Sequence, residues 1–137
     1  FKDYIRQLMA NMQVLVKKFD EAGFRMVSGG SDNHLILLDT RASLGISGKE
    51  AERLLDEAGI TVNKNTIPFD QEKQFVTSGI RIGTAAMTSR GFTEKEFEQV
   101  GGWIVRVLKA GDDATAAEVK KEVVQLTRQF PAEAVID

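Results

Sequence analysis

The sequence predicts an α/β domain of the two-layer α+β kind, in which a small, mostly antiparallel sheet is covered by helices on one face. Three observations support this prediction. Apolar residues recur at helical spacing near both ends of the chain, and short apolar runs separated by turn-forming residues fill the middle. The length of 137 residues suits one compact domain. Because no internal repeat or linker interrupts the pattern, we expect a single domain over residues 1–137.

The first element is predicted to be one long amphipathic helix from near Phe1 to near Ala22. Gly23 follows as a natural helix end. The apolar stripe of this helix needs a partner surface, which this domain or another domain must supply. The residues that form the stripe are Phe1, Tyr4, Ile5, Leu8, Met12, Leu15 and Phe19.

Four short strands are predicted between residues 24 and 83. Phe24–Ser28 and His34–Asp39 flank the link Gly29–Asn33, which consists of turn-forming residues and therefore favours an antiparallel hairpin. Ile60–Val62 and Gly79–Gly83 are the other two apolar segments with strand-like composition. Together these segments predict the small sheet.

Capping-box sequences predict where three further helices begin. Each has Ser or Thr followed three residues later by Glu, and the boxes start at Ser47, Thr93 and Thr115. Apolar residues follow each box at helical spacing. Gly59 is predicted to end the first of these helices and Pro131 the last.

Composition excludes several classes of function. The net charge of −2 provides no basic surface for nucleic acid or an anionic membrane. The longest apolar run, Leu35–Leu38, is far shorter than a membrane span requires. Cysteine is absent, so the chain has neither disulfides nor thiolate chemistry, and a cytoplasmic location is expected.

The polar residues of the hairpin link are interpreted as structural. His34 is the sole histidine, so the chain alone assembles neither a histidine metal site nor a catalytic triad. Asp32 and Asn33 resemble a catalytic cluster, but their composition fits a turn whose side chains bond the local backbone. Gly29-Gly30 joins two predicted strands, and a phosphate-binding loop would require a strand followed by a helix. We therefore expect no metal site and no histidine-based catalytic triad in this chain.

Arg81 is the candidate binding residue. On a strand, its side chain points away from those of Ile80 and Ile82, and Gly79 and Gly83 on either side permit close approach of a ligand or another backbone. A guanidinium held there suits bidentate binding of a carboxylate. The alternative from the residues alone is an exposed arginine on an edge strand.

Five segments carry a resemblance to the serine hydroxymethyltransferase family. Val27–Leu35 is similar to the family's Val-Ser-Gly-Gly-Thr-Asp-Asn-His motif. Gly48–Glu52 and Asn63–Pro68 match further family segments, and Thr77–Thr84 with Met87–Phe92 matches its Thr-Ser-Gly-Ile-Arg-x-Gly-Thr and Thr-x-Arg-Gly segments. These segments occur in the family's order.

The resemblance implies a function and three site residues. The family interconverts serine and glycine in one-carbon metabolism and transfers the hydroxymethyl carbon to tetrahydrofolate, with pyridoxal phosphate as electron sink. It implies that Arg81 binds the amino-acid carboxylate and that Asn65 contacts the folate pteridine. Phe75 aligns with the phenylalanine of a Ser-Pro-Phe stretch near the folate. Lys73 and Gln74 depart from that stretch, so no folate contact is implied for them.

The resemblance also implies that this chain is the C-terminal small domain of a larger, homodimeric enzyme of fold-type I. The family's Schiff-base lysine follows a histidine, whereas His34 is followed by Leu35. The lysine and the rest of the cofactor site are therefore expected in a large domain that is missing here, and the isolated chain is expected to be inactive. The alternative is a stand-alone amino-acid-binding or interaction module without catalysis.

Overall fold

The computed structural model describes residues 2–27 and 35–130. The hairpin link with Asp32, Asn33 and His34 lies outside the described residues, as does Pro131. In chain order the elements are α1 (Lys2–Glu21), β1 (Arg25–Met26), β2 (Leu35–Asp39), α2 (Thr40–Leu44), α3 (Gly48–Glu57), β3 (Asn63–Asn65), β4 (Gly79–Gly83), α4 (Ala85–Ser89), α5 (Glu94–Ala110) and α6 (Asp113–Arg128).

The strands form one antiparallel sheet in the order β1-β2-β4-β3. On one face Ile36, Leu38, Ile80 and Ile82 are buried in the core. The residues that alternate with them point to the other face, where Leu35 remains 44% exposed. The predicted α+β class is confirmed, with helices packed on one side of a small antiparallel sheet.

The apolar stripe of α1 packs mainly against α5 of the same domain. Gly101 permits the close approach of the two helices, since a Cβ there would lie 2.9 Å from Lys18 Cγ. The domain itself therefore covers most of the stripe. The apolar side chains that α1 buries are Leu8, Met12, Leu15 and Phe19.

Two of the predicted capping residues begin helices. Ser47 Oγ accepts a hydrogen bond from Glu50 N at 3.1 Å, whereas the Glu50 carboxylate binds Arg53 instead of returning to the cap. The Glu96 carboxylate accepts hydrogen bonds from both Thr93 N and Thr93 Oγ1 at 2.8 Å. The starts of α3 and α5 are therefore confirmed, although the box at Ser47 is only half formed.

The predicted start of the last helix is wrong by a few residues. α6 begins at Asp113, and Asp112 caps it by accepting a hydrogen bond from Thr115 N at 2.8 Å. Asp112 is at least as good an N-cap residue as Thr115, so the helix begins about one turn earlier than predicted.

The third strand was predicted at Ile60–Val62, and this prediction is wrong because the strand is Asn63–Asn65. Ile60 N donates to Leu55 O at 2.8 Å and closes the end of α3, so this amide is not available to a ladder. Val62 is only 6% exposed, which reflects its packing in the core. The apolar alternation at Ile60–Val62 is thus explained by core packing.

The single-turn helices α2 and α4 were not predicted. Each has five residues, too few for the apolar spacing of a helix to recur. Asp39, the last residue of β2, caps α2 by accepting a hydrogen bond from Ala42 N at 2.9 Å.

Candidate functional site

Arg81 lies at the centre of the open face of the sheet. Its strand, β4, is an interior strand, so Arg81 is not the edge-strand arginine of the alternative interpretation. Leu37 on β2 and Asn63 on β3 are directly opposite Arg81. The Arg81 side chain is exposed, whereas those of Ile80 and Ile82 are buried, which confirms the predicted alternation.

The charge of Arg81 has no counter-charge among the described residues. Asp39 is the one carboxylate that the described strand residues direct to this face. It is bound by the Arg25 guanidinium and by Ala42 N. No ion pair or side-chain hydrogen bond joins Arg81 to another residue within 2–27 and 35–130. The open face therefore presents one cation that a ligand carboxylate would satisfy.

Asn65 lies on the same face as Arg81. It is directly opposite Gly79 on β4, which places it diagonally across from Arg81. Residues in that relation are about 7–8 Å apart. Asn65 is half-buried, and its Nδ2 donates to Thr66 O at 2.8 Å. The structure therefore brings the predicted Arg81 and Asn65 onto one surface.

Phe75 lies on the loop between β3 and β4. Its ring is 61% exposed, and its centroid is 5.9 Å from Lys49 Nζ at the start of α3. Lys73 and Gln74 are exposed on the same loop. Phe75 thus offers an exposed aromatic face beside a cation.

Gly79 allows close packing at the start of β4. A Cβ at this position would lie 2.9 Å from Leu38 O and 2.9 Å from Ile67 Cγ2, which leaves no room for a side chain. The predicted close approach at Gly79 is therefore made by the neighbouring strand and loop. This packing holds the strand that carries Arg81.

Asp70 organises the loop between β3 and β4, and sequence reasoning did not single it out. Its carboxylate accepts hydrogen bonds from Ser78 Oγ at 2.7 Å and from three backbone amides, those of Ile67, Glu72 and Ser78, at 3.2, 2.9 and 2.9 Å. Burial alone would raise the pKa of Asp70, but these hydrogen bonds hold it at about 2. The aspartate after Pro68-Phe69 was the available signal, since Asp commonly bonds nearby backbone in turns.

Replacement of Asp70 by asparagine is expected to destabilise the chain by about 1–3 kcal/mol near neutral pH, because backbone amides lose a charged acceptor. The pKa of Asp70 is depressed in the folded state, so its contribution is complete above the ordinary value of 3.8 and is lost as pH falls toward about 2. Urea unfolding from pH 7 to pH 2 measures this. The wild type and Asp70→Asn should converge in stability at the acid end, and a constant difference would contradict the assignment.

The described strands around Arg81 do not provide the lysine that a pyridoxal-phosphate site needs. Such a site needs a lysine beside the substrate and a cradle for the phosphate. The strand residues around Arg81 include no lysine on the open face. Lys64 on β3 points to the opposite face, where its Nζ lies 3.7 Å from Glu52 Oε1.

The described part of the chain has neither a metal-binding cluster nor a membrane-spanning helix. It holds no group of three or more His, Asp or Glu residues placed to share a metal ion. Within the same residues, every helix is too short or too polar to cross a membrane.

The described residues thus form a two-layer α+β domain with an exposed arginine at the centre of the open face of its sheet. The serine hydroxymethyltransferase family model matches residues 1–104. The chain belongs to the serine hydroxymethyltransferase family, whose members are transferases. The match includes Arg81, Asn65 and Phe75, whereas α6 lies beyond it.

Proposed function

We propose that this chain supplies the amino-acid carboxylate-binding part of an enzyme that interconverts serine and glycine and transfers the one-carbon unit to tetrahydrofolate. The observation that carries this proposal is Arg81, an exposed guanidinium on an interior strand with no counter-charge among the described residues. Family membership supports the reaction.

Arg81 binds and orients the substrate in this proposal. Its planar fork pairs with both oxygens of an α-carboxylate, which defines the orientation of the amino acid as well as its position. Hydrogen-bonded strands on both sides hold the backbone of β4, so little ordering is required when the ligand binds. The neighbouring Leu37 and Asn63 border the bound carboxylate.

Asn65 and Phe75 are assigned to tetrahydrofolate. The Asn65 amide has both a donor and an acceptor to offer to a pteridine edge, and it lies on the same face as Arg81. The exposed Phe75 ring offers a surface on which an aromatic group can stack. We assign no folate contact to Lys73 or Gln74.

Pyridoxal phosphate would supply the electron sink of the reaction when bound. Because the described strands around Arg81 provide no lysine for this cofactor, we assign the lysine and the phosphate cradle to a large domain outside these 137 residues. The chain is then the C-terminal small domain of a cytoplasmic, homodimeric enzyme, and no residue of the chain is assigned a catalytic role.

The experiment compares the 137-residue chain with the complete product of its gene. The complete product should convert serine to glycine in a manner that depends on tetrahydrofolate and pyridoxal phosphate. The chain alone should not convert serine, and after dialysis it should retain no pyridoxal phosphate by absorbance, since its surface lysines form only weak adducts.

Intact mass of the natural gene product distinguishes the proposal from a stand-alone binding module. A product of about 137 residues that binds serine alone would support the module and overturn the proposal. If the isolated chain retained one equivalent of pyridoxal phosphate, this result would also contradict the proposal, because the lysine that binds the cofactor would then belong to this chain.

A further inference from the structure

A cavity of about 360 Å³ lies on the helical side of the sheet, between α4, α5, α6 and the segment after α3. Its lining is mainly apolar, and it includes half-buried side chains from four parts of the chain. These are Ile60, Met87, Val100 and Leu126. For comparison, an engineered apolar cavity of about 150 Å³ accepts benzene, so this cavity is large enough for a ring with a short side chain.

Arg90 is the one charged residue among the described residues that line the cavity. Its Nε donates to Phe130 O at 2.8 Å and its Nη2 donates to Thr127 O at 3.4 Å, so it lies at the end of α6. No carboxylate pairs with Arg90 within 2–27 and 35–130. Among the described groups, the hydrogen-bond partners of the Arg90 guanidinium are the neutral carbonyl groups of Phe130 and Thr127.

We propose that this cavity binds a small aromatic monocarboxylate, with the ring in the cavity and the carboxylate on Arg90. Phe92, Phe97 and Trp103 contribute aromatic surface to the lining, and aromatic guests pack favourably against such rings. The guanidinium has unused donors for a carboxylate, whose charge strengthens the hydrogen bonds.

The site is separate from the surface that carries Arg81. Ile82 lines the cavity from the inner face of β4, whereas Arg81 points to the open face of the same strand. A ligand in the cavity would therefore leave the proposed amino-acid surface free. No step of the proposed function uses the cavity.

Trp103 provides a direct measurement, because it is the sole tryptophan of the chain and lines the cavity. Titration of the 137-residue chain with 4-phenylbutyrate should change Trp103 fluorescence saturably. The uncharged 4-phenylbutanol should bind about tenfold more weakly, because it lacks the charge-assisted bonds to Arg90. Arg90→Gln should abolish that tenfold preference, and Arg90→Lys should keep much of it.

A matched pair of substitutions on α4 tests whether 4-phenylbutyrate binds in this cavity. Ala86 is exposed and lines the cavity, so Ala86→Leu should narrow its mouth and weaken binding of 4-phenylbutyrate at least about tenfold. Ala85, its exposed neighbour, is not a lining residue, and Ala85→Leu should bind like the wild type. Any of three results would overturn the proposal. These are no saturable binding of 4-phenylbutyrate, equal affinity of the wild type for 4-phenylbutyrate and 4-phenylbutanol, and equal effects of Ala85→Leu and Ala86→Leu on binding.

Discussion

Arg81→Ala, made in the longer enzyme to which we assign this chain, is expected to weaken serine binding by about 2–5 kcal/mol. The substrate carboxylate would remain in the site without its charged partner, and this loss accounts for most of the effect. Arg81→Lys keeps the charge but loses the planar fork, so it should also weaken binding severely. Equilibrium titration with serine measures both variants.

Arg25→Ala is the matched control for Arg81. Arg25 is exposed and directed to the same face, but its guanidinium already binds Asp39. Its removal should leave serine affinity nearly unchanged. Arg81→Ala should also shift the unfolding free energy of the 137-residue chain by no more than about 0.5 kcal/mol, because its side chain is exposed. If serine affinity survives while the chain unfolds, Arg81 is a structural residue and the assignment is wrong.

Gly48→Ala is expected to destabilise the chain by about 3 kcal/mol, which lowers the melting temperature by about 10 °C. Gly48 begins α3 and is buried against the start of β4. A Cβ there would lie well inside contact distance of Gly79 O and Thr77 Oγ1. Gly48 N also donates to Thr77 O at 3.0 Å, so α3 cannot move away without loss of that bond. Calorimetry measures the effect.

Gly102→Ala is the control for Gly48→Ala. Gly102 lies inside α5, and a Cβ there would meet no atom within 4 Å. Alanine should therefore stabilise the chain by about 0.5–1 kcal/mol through its helix propensity. Similar melting temperatures for the two variants would show that α3 and β4 can separate at little cost, contrary to the packing described.

We could predict the fold class, the long helices and the strand that carries Arg81 from the amino-acid sequence alone. These features depend on local patterns: apolar spacing along α1 and α5, a capping residue at Ser47, and strict alternation in Ile80-Arg81-Ile82. Such patterns are repeated over enough residues to be recognised without knowledge of the partners. Motifs likewise led to the family, which the match over residues 1–104 confirms.

Three features depend on tertiary contacts: which strand is interior, where β3 lies and what surrounds each site residue. Ile60 and Asn63 illustrate this dependence. Ile60 is apolar but closes the end of α3, whereas Asn63 is polar but pairs with β4. Which residues pair with β4 depends on the register between segments that are distant in the chain. The cavity at Arg90 likewise joins residues far apart in the chain, such as Ile60 and Leu126. Non-local contacts of this kind depend on packing among several elements, and no local pattern of residue types specifies them.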